Sequence, residues 1–231
     1  MTSGEIAVTG AGGALGSGIV RALCASGTRV IAIERDVERA QAAFAGVGNC
    51  RVLGFDVTDR EAWKRALGDA EVAGAVLVAG TWKGGKRVFE AGAEADWNAL
   101  LSANLETAHV SLQAILPRLV ATKAGSVVAI GSRTAVRPWE GARAAAYAAS
   151  KAALVALVQA AAAEVLADGV RVNTLLPSTI DTPANRAAMP QHDPSTWVSV
   201  ESISGVIEFL LSDAARDISG AAIPVYGKDG V

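Results

Sequence analysis

Seven apolar runs rich in Val, Ile, Leu and Ala punctuate the chain, at 5–9, 29–34, 51–56, 75–79, 126–130, 170–176 and 222–225. Each is continuous rather than alternating, so a strand made from it would bury both faces. Helical patterns or long connections separate the runs. Such a repeat predicts an α/β fold, a doubly wound, seven-stranded parallel sheet with helices on both faces. Right-handed crossovers place functional groups at the carboxyl ends of these strands. Gly10, Glu34, Asp56, Gly80, Ser132 and Pro177 each fall at such an end, a coincidence that packing alone does not require. No linker or low-complexity tract divides residues 1–231, so one domain is expected.

The sharpest local signal is Val8-Thr9-Gly10-Ala11-Gly12-Gly13-Ala14-Leu15-Gly16-Ser17-Gly18, an apolar run, a glycine turn and then a helical pattern. A dinucleotide-binding (Rossmann) turn needs that order. Glycine lets the backbone approach a pyrophosphate, whose charge meets the free N–H groups and positive end of the following helix. The candidate cofactor contacts are Gly10, Gly13, Ala14, Leu15 and Gly16. The second run ends in Glu34, whose carboxylate can accept hydrogen bonds from an adenosine ribose and repel a 2′-phosphate. Its neighbour Arg35 could instead meet that phosphate. NAD is the expected cofactor, with NADP as the alternative.

Composition narrows the partners. Twenty-one basic residues against 23 acidic ones, a formal net charge of −2, leave no cationic footprint for nucleic acid. A small-molecule substrate is expected. Cys24 and Cys50 lack the number and spacing of a disulfide framework or zinc site; they read as buried thiols in a reducing, cytoplasmic setting, and no metal is expected. The chain enters its first strand with no basic leader, and Gln159 and Glu164 interrupt the longest apolar helix, so no membrane partner is expected. That helix, 147–167, is apolar nearly all round, more than one sheet can cover. It predicts a homodimer or homotetramer.

Tyr147 and Lys151 lie four residues apart in Ala144-Ala145-Ala146-Tyr147-Ala148-Ala149-Ser150-Lys151, a spacing that a helix places on one face. Asn104 lies inside a helical pattern, where an amide is unwelcome unless it has a partner. With the glycine turn, Asp56-Val57, Ser132 and Arg171-Val172-Asn173…Pro177, these residues resemble the short-chain dehydrogenase/reductase family, in order and over essentially the whole chain. The resemblance implies hydride transfer between a nicotinamide and a carbonyl or alcohol carbon. It makes Asn104, Ser132, Tyr147 and Lys151 catalytic, with Tyr147 the proton donor in reduction and Ser132 holding the substrate oxygen. Asn104 would fix a water linking Lys151 to solvent, and Lys151 would also bind the nicotinamide ribose and, with the cationic nicotinamide, favour the Tyr147 phenolate. Asp56 and Val57 would contact adenine and Thr182 the carboxamide, with Tyr147, Ala79, Gly80 and Pro177 also on the cofactor. The family further suggests a tetramer.

The departures sharpen the reading. Ala14 stands at the usual third glycine, Leu77-Val78-Ala79-Gly80 replaces Asn-Asn-Ala-Gly, and Ser178 follows Pro177 where glycine is usual. The interval from Ser132 to Tyr147 is longer than usual, leaving Thr134 as a rival for the serine role. The stretch Val78-Ala79-Gly80-Thr81-Trp82 and the loop from Leu176 to Trp197 resemble dihydropteridine reductases. Yet Asn104 and Ser132 argue for carbonyl chemistry, because a ketone needs its oxygen held and protonated. A short substrate loop is expected at about 183–198. Trp82 and Trp197 are candidate walls for a flat ring, alongside Ser132; Trp139 and His192 are weaker candidates, and His109 reads as a core residue. The leading expectation is a reductase of a small carbonyl or quinonoid ring. A dihydropteridine reductase proper and a non-catalytic NAD(P)-sensing protein are the rivals, and the substrate's identity and the physiological direction stay open.

Overall fold

The computed structural model describes residues 4–229. Its strands are β1 (Glu5–Thr9), β2 (Val30–Glu34), β3 (Cys50–Gly54), β4 (Val72–Leu77), β5 (Gly125–Ile130), β6 (Val170–Pro177) and β7 (Ala222–Val225). They form one sheet in the order β3-β2-β1-β4-β5-β6-β7, with every neighbouring pair parallel. The order reverses between β1 and β4, and that switch opens a crevice beyond their carboxyl ends.

Successive side chains on a strand point to opposite faces, and the core divides accordingly. Ala7, Ile31, Ile33, Ala75, Leu77 and Val127 face one layer. There they meet Trp63 of α3 (Arg60–Leu67), Leu112 of α5 (Thr107–Thr122) and Leu154 of α6 (Ala145–Val165). Ile6, Val8, Val30, Ala32, Val76 and Val128 face the other. Their partners include Ile19 of α1 (Ala14–Ala25), Ala40 of α2 (Val37–Ala43) and Ile203 of α8 (Val200–Leu211). Continuous apolar runs were needed because both faces are covered. The remaining helices are α4 (Ala93–Leu101) and the short α7 (Pro183–Ala188).

The largest boundary difference is at β4, which runs from Val72 to Leu77 rather than 75–79. It ends early because the N–H groups of Val78 and Ala79 leave the ladder and donate to the Thr9 hydroxyl at 3.1 and 3.2 Å. This turns the chain toward the crevice. His109 also departs from expectation: it is exposed on α5, not part of the core. Cys24 and Cys50 are half-buried and unbridged, in contact with each other, and burial pushes both thiols up, Cys50 to about 11. The stretch Ala145–Asp168 is by length and composition long and apolar enough to cross a membrane. In this fold it is the crossover helix between β5 and β6.

Candidate active site

The crevice is a cleft of about 870 Å³ running across the carboxyl ends of β1, β2, β4, β5 and β6. One end is built on the glycine turn. Gly10 has φ +64°, and a Cβ on Gly16 would stand 2.2 Å from the Gly10 carbonyl oxygen. Any side chain at Gly16 would therefore push α1 away from β1. No side chain caps α1 and no acidic residue lies in its first turn, so its free N–H groups and positive end are available to an anion. Glu34 reaches over the same turn, its Oε2 accepting from the Gly12 N–H at 2.9 Å and its Oε1 from the Arg35 N–H at 2.8 Å. Asp56 accepts from the Thr58 N–H (2.9 Å) and hydroxyl (2.7 Å). These bonds, with Arg35 3.8 Å away, hold its carboxyl below the usual range.

The other end is buried and cross-tied. Between α4 and α5 the helix widens into a π turn, Ser102–Glu106, a feature that often marks functional sites. Asn104 projects from this turn, buried, and spends its amide on two elements. Its Oδ1 accepts from the Thr81 N–H at 2.8 Å, and its Nδ2 donates to the Ser150 hydroxyl at 3.0 Å. Gly80 lies against it: a Cβ there would stand 2.7 Å from Asn104 Oδ1 and 3.5 Å from Lys151 Nζ. Glycine at 80 is thus what lets the amide, the amine and the β4 loop come together.

Tyr147 and Lys151 sit near the start of α6, one turn apart. Lys151 is only 6% exposed and donates to the Ile130 carbonyl, at the end of β5, at 2.8 Å. Burial lowers its ammonium to about 8. Burial raises the Tyr147 phenol, and a hydrogen bond with Ser132 works the other way with less weight. Each group is moved toward its neutral form, as desolvation requires. Lys151 Nζ is turned to a backbone carbonyl, and in the cofactor-free chain burial is the larger influence on Tyr147. A phenol protonated at neutral pH can donate a proton, and Ser132 presents a hydroxyl beside it. Ser132 also shares a hydrogen bond with Thr134 (3.0 Å). Ser132 lines the cleft and Thr134 does not.

A family model for short chain dehydrogenases matches residues 5–193, most of the chain. The chain belongs to the short-chain dehydrogenase/reductase family. It is 32% identical to a galactitol 2-dehydrogenase (L-tagatose-forming) of Cereibacter sphaeroides, over 96% of this chain and 92% of that one. It is 31% identical to a D-threitol dehydrogenase of Mycolicibacterium smegmatis, covering 97% and 92% respectively. Among solved structures, a short-chain dehydrogenase/reductase family oxidoreductase from Burkholderia thailandensis superposes with a TM-score of 0.88 at 32% identity, over 98% of this chain and 92% of that one. The protein is therefore an oxidoreductase, of a family that binds NAD(P).

This dehydrogenase brings most of the expected residues to one cleft. Gly10, Gly13, Ala14, Leu15, Gly16, Glu34, Arg35, Asp56 and Val57 line one end; Ala79 and Gly80 line its middle; Trp82, Ser132, Tyr147, Lys151 and Pro177 lie at the reacting end. Three do not line the cleft, and the first is Asn104, which is packed against Gly80. Trp197 is buried and absent from the cleft wall, because the bridge from Ile180 to Val198 and the bond from Lys228 N–H to the Thr196 carbonyl (2.9 Å) draw that segment inward. Thr182, also buried, caps α7, its hydroxyl accepting from the Asn185 N–H at 3.2 Å. Arg39 and Thr58 line the cleft without having been expected. Both had a signal: Arg39 lies in the first turn of the helix that follows Arg35, and Asp-x-Thr is an Asx-turn pattern. Among the described residues, no three His, Cys, Asp or Glu side chains converge as a metal site.

Proposed function

We propose that this chain is an NAD(P)-dependent dehydrogenase that interconverts a secondary alcohol and a small carbonyl compound, with Tyr147 as proton donor in reduction. The observation that carries this reading is that Ser132, Tyr147 and buried Lys151 share one wall of the cleft, the last two one helical turn apart on α6. The cleft fits a dinucleotide. The uncapped start of α1 and the close-packed glycine turn would hold the pyrophosphate, Glu34 an adenosine ribose, and Asp56 and Val57 the adenine. The nicotinamide, when bound, supplies or accepts the hydride. The chain's own part is the proton: Ser132 holds the substrate oxygen, Tyr147 donates to it in reduction or takes its proton in oxidation, and Lys151, with an amine at about 8, re-equilibrates the phenol with solvent through the space beside Asn104 and Gly80.

The substrate class we favour is a small polyol or diol and its keto form, extending to cyclic carbonyl compounds. Support comes from relatives named as galactitol and D-threitol dehydrogenases and from the Trp82 ring at the cleft. NADH is the preferred partner on the strength of Glu34. The face of α6 that its own subunit leaves uncovered, less than half buried overall, is covered by a second copy in a homodimer or homotetramer. The unbridged thiols Cys24 and Cys50 favour a cytoplasmic setting. The test is turnover of purified protein with NAD⁺ or NADP⁺ against polyols and cyclic diols, and with the reduced cofactors against ketones, quinones and quinonoid dihydropterin. Turnover of a secondary alcohol or ketone that disappears in Tyr147→Phe supports the reading. Cofactor binding without turnover of any of these would overturn it in favour of a sensing protein.

A further inference from the structure

The segment after β7 is tied to three loops around the reacting end. Ser178, which lines the cleft, donates its N–H to the Val225 carbonyl (3.2 Å) and its hydroxyl to the Tyr226 carbonyl (2.8 Å). Lys228 donates its N–H to the Thr196 carbonyl at 2.9 Å, at the end of the substrate loop. The third tie is ionic and runs through Arg133, the residue after Ser132. Its guanidinium, 18% exposed, pairs through Nε with Glu140 at 2.7 Å and reaches the Asp229 carboxylate at 3.4 Å. It also donates to the Asp229 main-chain carbonyl and lies 5.7 Å from the ring centre of Tyr226. Arg137 lies over the same ring at 5.2 Å and pairs with Glu140 at 3.4 Å. Two guanidinium groups thus share one carboxylate and one aromatic ring.

The anchored turn is the one that carries Ser132. The Arg133 carbonyl accepts from the N–H groups of Val136 (3.1 Å) and Arg137 (2.9 Å). Ser132 caps the turn, its Oγ accepting from the Thr134 N–H at 3.3 Å. We propose that Arg133 is a positioning residue for the reaction: by clamping segment 226–229 to the 133–140 turn, it fixes the Ser132 hydroxyl against Tyr147. Isolated exposed ion pairs contribute little to stability, but a single guanidinium bound to Glu140, Asp229 and Tyr226 restricts where the adjacent residue can move. A hydroxyl displaced by about an ångström can cost up to roughly 10²-fold in rate. The inference rests on the reading of Ser132 given above.

The test is a double-mutant cycle in the full chain, with kcat expressed per NADH-binding site by fluorescence titration, so that unfolded protein is not counted. Arg133→Ala should lower kcat about tenfold, with NADH affinity and substrate KM within about twofold. Arg133→Lys, which cannot span all three contacts, should recover only part of the loss. In a Ser132→Ala background the Arg133→Ala effect should vanish, because a residue acting through Ser132 has nothing left to position. Asp229→Asn and Tyr226→Leu loosen the other end of the clamp and should give smaller losses of the same kind; they carry the cycle if Arg133→Ala does not fold. Normal kcat per site in all clamp variants, with Ser132→Ala impaired, overturns the proposal and leaves the role of Ser132 standing. Additive losses also overturn it. Normal kcat in Ser132→Ala removes the reading on which it rests.

Discussion

The two ends of the cleft are built from opposite materials. At the adenosine end the charged groups are open to water: Arg35 is 82% exposed and its partner Asp56 46%. At the reacting end Asn104, Ser132 and Lys151 are buried, and each has a named hydrogen-bond partner. Exposed charges are screened, so they bias which cofactor binds by modest amounts. Buried polar groups have partners that become unsatisfied when they are removed, so they govern whether the reaction proceeds at all. Substitutions at the buried end should therefore change rates steeply, and those at the open end should change preferences gently.

The largest effect is expected at Tyr147. Tyr147→Phe keeps the ring and removes the proton donor, so kcat should fall by about 10²–10⁴. NADH affinity, measured by fluorescence titration, should change little. Near-normal carbonyl reduction by this variant would break the comparison at its strongest point.

Lys151 gives the next effect, read in stability rather than rate. Its folded value of about 8 lies below the ordinary lysine value of 10.5 because of burial. Between those values the unfolded chain binds more protons than the folded one, so stability climbs as pH rises through that window. From pH 7 to 9.5 the cofactor-free protein should gain about 2 kcal/mol relative to Lys151→Met. Urea unfolding of both proteins at the two pH values measures it. A wild type that tracks the methionine variant would mean that the ammonium is solvated and this end is less dry than its geometry indicates.

The same contrast explains what could be read from the sequence. The sheet and its seven strands were legible because both-face burial writes continuous apolar runs, and Val30–Glu34 or Ala222–Val225 need no context to be seen. The start of β4 was not, since Val72-Ala73-Gly74 is a short, small-residue stretch, and its end is set by the Thr9 hydroxyl, a contact made across nearly 70 residues. Candidate residues came together where a spacing or turn fixed them, as with Gly10 to Gly16 and the Tyr147–Lys151 pair. That Trp197 and Thr182 would lie off the cleft wall was not legible, because their side-chain directions depend on how the loop folds inward, and residue type says nothing about that.

At the open end, Glu34 should decide the cofactor by a smaller margin. Its carboxylate, held over the glycine turn by Gly12, accepts from a ribose hydroxyl and opposes a 2′-phosphate, while Arg35 and Arg39 on the cleft wall favour one. The wild type should prefer NADH. Glu34→Ala should shift the NADPH/NADH ratio of kcat/KM about tenfold toward NADPH, close to the ~1 kcal/mol of one unit charge at about 4 Å in water, since this end is open to solvent. Wild-type preference for NADPH would mean that the two arginines outweigh the carboxylate.

Trp82 sharpens the comparison because it belongs to the reacting end yet is 66% exposed. Its ring edge lies close to Gly84, in a loop pinned where the Gly85 N–H donates to the Arg143 carbonyl at 2.9 Å. The indole is thus presented at the cleft without being packed into the core. A half-open aromatic face contributes less than a buried one, so its loss should cost about 1.4 kcal/mol, a tenfold rise in KM for a cyclic ketone or quinone. For a small aliphatic ketone, which cannot cover the ring, Trp82→Ala should leave KM within about twofold. Since Trp82 supplies no proton or charge, kcat should hold for both substrates. Equal losses for both would reduce Trp82 to a support of the loop. A large fall in kcat would place it with the buried groups, and exposure would then no longer separate residues that set preference from those that set rate.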